Sequence, residues 1–113
     1  REALVDIPND RRMSYGELDQ RVCRLANAFI DHLGLKKGDR VAILSKNCIE
    51  YMEIYYACAR VGMIAQPINW RLGLEEMARI LKNGAPAVVI MAYNILRLPV
   101  CRRVSGLFFL DVL

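Results

Sequence analysis

Apolar residues recur along this chain in two alternating rhythms. Leu18, Val22, Leu25, Phe29 and Leu33 stand at spacings of four, three, four and four, which stacks them on one face of a helix. Ser14, with Glu17 three places on, forms a capping box at the start of that helix, in which each side chain takes a free amide of the other's backbone. Gly34 supplies the left-handed residue that ends it. The rhythm then changes. Lys37-Gly38-Asp39-Arg40 turns the chain into Val41-Ala42-Ile43-Leu44, an unbroken apolar run too short for a helix, as expected of a parallel strand covered on both faces.

The alternation repeats twice more. Asn47 followed by Glu50 predicts a second capping box, opening a helix that runs to Arg60 and stops at Gly62. Residues 63–68 form a short strand, with Pro67 placing that end at a strand terminus. A third helix over 74–82, closed by Asn83-Gly84, leads past Pro86 into a strand over 87–91. Before all of these, residues 2–7 read as an edge strand that turns at Pro8-Asn9-Asp10 and returns through Arg12-Met13. Strand and helix at this spacing predict an α/β fold: a Rossmann-like layer of mainly parallel strands with right-handed crossover helices.

The second helix differs from the others. Ile49, Tyr51, Met52, Ile54, Tyr55, Tyr56, Cys58 and Val61 cover nearly its whole circumference, leaving Glu50, Glu53 and Arg60 as its charged positions. A helix apolar all round is expected to be buried all round. That requires a partner surface, either a missing second subdomain or self-association through the Tyr51, Tyr55 and Tyr56 helix.

Composition sharpens this expectation. The 113 residues are 55% hydrophobic and the mean hydropathy is +0.19, high for a chain that would bury only roughly two-thirds of its unfolded surface. Some apolar surface therefore belongs against something else. The net charge of +4, from 16 basic and 12 acidic residues, is spread along the chain without a basic stripe, which argues against a nucleic-acid partner. Cys23, Cys48, Cys58 and Cys101 are far apart and read as reduced thiols of a cytoplasmic protein rather than as a zinc site or a disulfide scaffold. The sequence shows neither a signal peptide nor an apolar run of membrane-spanning length, and its start at Arg1 reads as a cut or processed piece.

Candidate chemistry is sparse. There is no closely spaced glycine set before a helix of the kinds that cradle phosphates. Threonine is absent and the three serines, Ser14, Ser45 and Ser105, are dispersed. His32 is the single histidine and reads as a helix-end residue interacting with the dipole. Glu75-Glu76 fall in the first turn of the third helix, where acids complement the dipole, and Tyr51, Tyr55 and Tyr56 read as a packing face. No catalytic, cofactor-binding or metal-ligating residue is expected in this chain.

Several segments taken together are more specific. Tyr15-Gly16-Glu17-Leu18, Gly38-Asp39-Arg40-Val41, Asn47-Cys48-Ile49-Glu50 and Arg60-Val61-Gly62-Met63-Ile64-Ala65-Gln66-Pro67-Ile68-Asn69 occur in this order, followed by Glu75-Glu76-Met77 and Val88-Val89-Ile90. The set resembles the opening of the AMP-forming adenylate synthetases, the superfamily of acyl-CoA synthetases, luciferases and peptide-synthetase adenylation domains. Pro67-Ile68-Asn69-Trp70-Arg71-Leu72 is most similar to the acyl-CoA synthetase branch. The resemblance covers about residues 3–91, so residues 1–92 are expected to be a partial N-terminal subdomain of an adenylate-forming domain, and residues 93–113 a tail that does not match the family.

The resemblance implies that the complete enzyme joins a carboxylic acid to ATP, with magnesium, and passes the acyl-adenylate to CoA, releasing AMP and pyrophosphate. It also implies that the family's phosphate loop, magnesium carboxylate, ribose-binding Asp and mobile C-terminal domain lie outside this sequence. The chain is therefore expected to be a scaffold, inactive alone, whose partner is the missing remainder of the synthetase. The rival reading is a truncated, non-catalytic interaction module docking through the second helix. A stand-alone nucleotide-binding domain is disfavoured by the missing glycine fingerprint.

Overall fold

Covered strands bounded by capped helices assemble as the pattern predicts. The computed structural model describes residues 1–92, and residues 93–113, including Cys101 and Ser105, lie outside the described residues. Strands β1 (Glu2–Asp6) and β2 (Arg11–Ser14) form an antiparallel hairpin. Ile7 falls in its turn and is exposed, one residue beyond the strand's end. Helix α1 (Tyr15–Asn27) follows directly and continues as a π-helical turn over Ala28–His32. Its capping box is present in full: the Ser14 hydroxyl accepts from the Glu17 amide at 3.2 Å, and Glu17 accepts from the Ser14 amide at 2.8 Å. Leu18, Val22 and Phe29 of the predicted stripe are buried, together with Ala26.

The main sheet has three parallel strands: β3 (Arg40–Leu44), β4 (Ile64–Ile68) and β5 (Val88–Met91), in the order β4-β3-β5. Helices α2 (Ile49–Val61) and α3 (Leu74–Gly84) are the crossovers. The two-residue period of a strand sorts the apolar run onto two faces. Val41, Ile43, Val88 and Ile90 join α1, α2 and the hairpin in one core cluster. Ala42, Leu44, Val89 and Met91 join Ile68 and the α3 residues Met77 and Leu81 in a second. The central strand is thus buried on both sides, as its unbroken hydrophobicity requires.

Four local expectations are corrected. Pro67, expected to mark the strand's terminus, stands one residue inside it, opposite Ile43, with Ile68 still paired to Leu44. This is tolerated because β4 is an edge strand, so the lost amide breaks no central ladder. The second helix is not opened by Asn47: its N-cap is Cys48, whose side chain makes no capping bond, and Glu50 turns inward to Arg11 rather than back to the cap. The third helix runs through Gly84, and the left-handed residue that ends it is Ala85, at φ +43°. Arg40 holds this end by donating to the carbonyls of Gly84 at 2.7 Å and Ala85 at 3.1 Å.

The fourth correction concerns the face of α2. The helix is not buried all round; pairs of inward residues alternate with pairs of outward ones. Glu53-Ile54 and Ala57-Cys58 are buried, whereas Tyr55, Tyr56, Ala59 and Arg60 are exposed. Glu50 and Glu53 retain only 4% and 3% exposure. A buried carboxylate is tolerable only when it is paired, and each one is: Arg11 of β2 reaches Glu50 at 2.7 Å, and Arg21 of α1 grips Glu53 with two nitrogens. The sequence identified the charged positions of this helix but not the side of it on which they lie.

Candidate functional site: a basic aromatic crevice at the strand ends

The chain leaves β3 toward α2 on one face of the sheet and leaves β4 toward α3 on the other. Adjacent parallel strands whose connections depart to opposite faces open a crevice beyond their carboxyl ends, the position at which open α/β sheets receive ligands. A cavity of about 570 Å³ occupies that position. It lies between the loop after Leu44, carrying Ser45, Lys46 and Asn47, and the loop after Ile68, carrying Asn69, Trp70 and Arg71.

Local hydrogen bonds shape both walls. The Asn69 side chain accepts from the Arg71 amide at 3.0 Å and its carbonyl accepts from the Leu72 amide at 3.2 Å, a side-chain-closed turn of the kind asparagine favours. That turn holds Trp70 and Arg71 at the rim. The Lys46 ammonium lies 4.7 Å from the centroid of the Trp70 ring and the Arg71 guanidinium 5.0 Å, so two cations share one indole. Across the crevice the Tyr51 hydroxyl donates to the Ser45 carbonyl at 3.4 Å, and the Tyr51 and Tyr55 rings stand 5.7 Å apart. Among the described residues no carboxylate lines this cavity. The arrangement offers two positive charges, an aromatic face and side-chain amides, which suits an anionic group joined to a planar or apolar one. It offers no nucleophile–base pair.

The residues singled out in the sequence do not converge here. His32 is exposed at the end of the π-helical turn, Ser14 is spent on its cap, and Glu75 and Glu76 sit in the first turn of α3. Of the tyrosines, Tyr51 and Tyr55 line the crevice, while Tyr56 lines a second groove between α1 and α2. Lys46, Trp70 and Arg71 were not singled out as site residues: they are twenty-four or more positions apart along part of the set, and only the crossover brings their loops together. The signal available was their position, each directly after a covered strand.

The donors present do not fit magnesium-ATP by themselves. Among the described residues no three His, Cys, Asp or Glu side chains gather around a point, and the two buried glutamates are taken by arginines. Cys23, Cys48 and Cys58 are free thiols. Burial pushes the Cys58 thiol up to about 11, so it is a small core hydrophobe rather than a nucleophile.

Comparison with known proteins decides what this layer belongs to. The AMP-binding enzyme family matches residues 1–106. The chain belongs to that family. The match runs past the boundary expected at residue 92. A long-chain-fatty-acid–CoA ligase, FadD13 of Mycobacterium tuberculosis, is 38% identical over 89 residues, which cover 79% of this chain and 18% of the relative. A crotonobetaine/carnitine–CoA ligase of Escherichia coli is 43% identical over 79 residues, covering 70% of this chain and 15% of the relative. In three dimensions the chain superimposes on a Mycobacterium tuberculosis fatty acyl CoA synthetase with a TM-score of 0.84 and 32% identity, over 97% of this chain and 23% of that one. The fold is that of the N-terminal region of acyl-CoA synthetases, and the chain spans less than a fifth of the length of these curated relatives. No helix of the described residues is long and apolar enough to cross a membrane.

Proposed function

We propose that this chain is the N-terminal scaffold of an AMP-forming acyl-CoA ligase that acts in the cytoplasm, and that it performs no adenylation alone. The observation that carries the reading is the family match combined with two ligase relatives at 38% and 43% identity. The complete enzyme would consume a carboxylic acid, ATP and CoA and yield acyl-CoA, AMP and pyrophosphate, with magnesium on the phosphates. Stabilising that transfer needs cations, amide donors and a magnesium site fixed around the phosphates; among the described residues the crevice offers Lys46 and Arg71 but no cluster of metal-ligating side chains. The described residues contribute the covered sheet, the arginine-laced helix α2 and the basic aromatic crevice, which in this reading contacts an anionic part of a substrate without taking part in the chemistry. In this reading residues 1–92 form the partial N-terminal subdomain and residues 93–113 a tail, into which the family match extends as far as residue 106.

The test is acid-dependent exchange of pyrophosphate into ATP, run with fatty and aromatic acids. No exchange above a protein-free control is expected, and clear exchange would overturn the assignment as a scaffold. The crevice has its own readout. Trp70 is the single tryptophan of the chain, so its fluorescence should respond to CoA or a nucleotide in the unmodified chain and respond less after Lys46→Ala.

A second reading, a docking module, rests on the exposure of Tyr55 and Tyr56, at 36% and 50%. In it these tyrosines, with Tyr51, meet a second copy or the remainder of the synthetase.

A further inference from the structure

Glu50 is 4% exposed, yet only one of its carboxylate oxygens is engaged by a guanidinium. Oε1 accepts from Arg11, whereas Oε2 is buried without a hydrogen bond of normal length and angle, with the Cys48 thiol and the residue's own amide close enough to favour the charged carboxylate. Buried polar atoms of native proteins are nearly always paired, with protein or with ordered water.

A cavity of about 20 Å³ adjoins Glu50 at the base of α2, between Ser45, Cys48, Tyr51, Ile54 and Ile90. A water needs roughly 10–15 Å³ of such space and two to four polar partners. The polar partners are at hand. The Ser45 hydroxyl spends its proton on the Lys46 carbonyl at 2.9 Å and keeps lone pairs free, and the Cys48 sulfur lies 3.8 Å from it. Burial holds the Cys48 thiol above its ordinary value, so it is a neutral, weak donor. A bound cation is disfavoured because Arg11 already neutralises Glu50.

We propose that this cavity is a binding site for one ordered water, which donates to Glu50 Oε2 and bridges it to Ser45 Oγ and Cys48 Sγ. The water joins the first turn of α2 to the loop that carries Lys46, and so braces one wall of the crevice from behind. The inference does not depend on the ligase reading, because it concerns only this chain's own polar atoms.

The test is water-to-amide cross-relaxation in the nitrogen-15-labelled chain. Amides of residues 48–51 should show a cross-peak to water with the sign of a long-lived complex. The peak should vanish in Cys48→Leu, whose larger side chain fills the cavity, while circular dichroism is unchanged. Should Cys48→Leu not fold, Ser45→Val fills the same space from the opposite wall and is read in the same way. Absence of the cross-peak in the folded, unmodified chain overturns the proposal. So does its persistence in a folded, cavity-filled variant.

Discussion

Arg11 of β2 donates to Glu50 of α2 at 2.7 Å across thirty-nine residues of sequence, fastening the N-terminal hairpin to the helix that covers the parallel sheet. The arginine side chain keeps 38% exposure and the glutamate only 6%, so the pair is asymmetric. Removing the arginine strands a buried carboxylate, while removing the glutamate leaves a cation that can turn to water. Arg11→Met should therefore cost about 1–3 kcal/mol in urea unfolding, and Glu50→Gln in that background should recover part of the loss. Equal, additive losses from both changes would mean that the pair is not coupled.

The same pair sets an acid limit. Burial pushes the Glu50 carboxyl up, but the hydrogen bond from Arg11, the residue's own backbone amide, the Arg11 charge and the Cys48 thiol together outweigh this and leave it below its ordinary value of 4.5. A group whose folded value is depressed stabilises the fold above its unfolded value and loses that contribution as pH falls through the folded one. The urea midpoint should be flat from pH 7 to about 5 and fall below about 4. Glu50→Gln should make the fall shallower.

Gly84 lies against Gln66 so closely that a Cβ there would stand 2.1 Å from Nε2 and 2.5 Å from Cδ. Gln66 cannot yield freely, because Nε2 donates to the Ile80 carbonyl at 3.3 Å. Gly84→Ala should cost about 1–3 kcal/mol by overpacking. In a Gln66→Ala background the cost should fall to near zero or reverse, since alanine is the better helix residue.

Ala85 adopts φ +43°, where a Cβ is strained and glycine is not. Ala85→Gly should stabilise the chain by about 0.5–1 kcal/mol, allowing for the entropy that glycine loses on folding. For a domain of this size the thermal midpoint would rise by several degrees. A fall in the midpoint would show that the Ala85 methyl group makes a contact worth more than the strain.

Tyr55 and Tyr56 point outward from α2, and burying an aromatic side chain is worth roughly 1.5–3 kcal/mol. The isolated chain should associate through them. Sedimentation of Tyr56→Lys should show a monomer with unchanged circular dichroism. A monomeric unmodified chain at tens of micromolar would remove this surface as a docking face.

The sequence by itself determined the order of elements, the capping of α1 by Ser14 and Glu17, and the doubly covered β3, because each depends on residues within one turn or one short run. It also carried the family, through matched caps, turns and strand ends. Only the tertiary structure decided which way α2 faces. Its composition is apolar nearly all round, and no local rule turns Glu50 and Glu53 inward; Arg11 and Arg21, from two other elements, do so by supplying the charges that make burial tolerable. The crevice was hidden for the same reason. Lys46 and Arg71 each look like an isolated surface cation until the crossover through α2 sets their loops side by side around Trp70, and a pairing made by topology leaves no periodic trace in the chain.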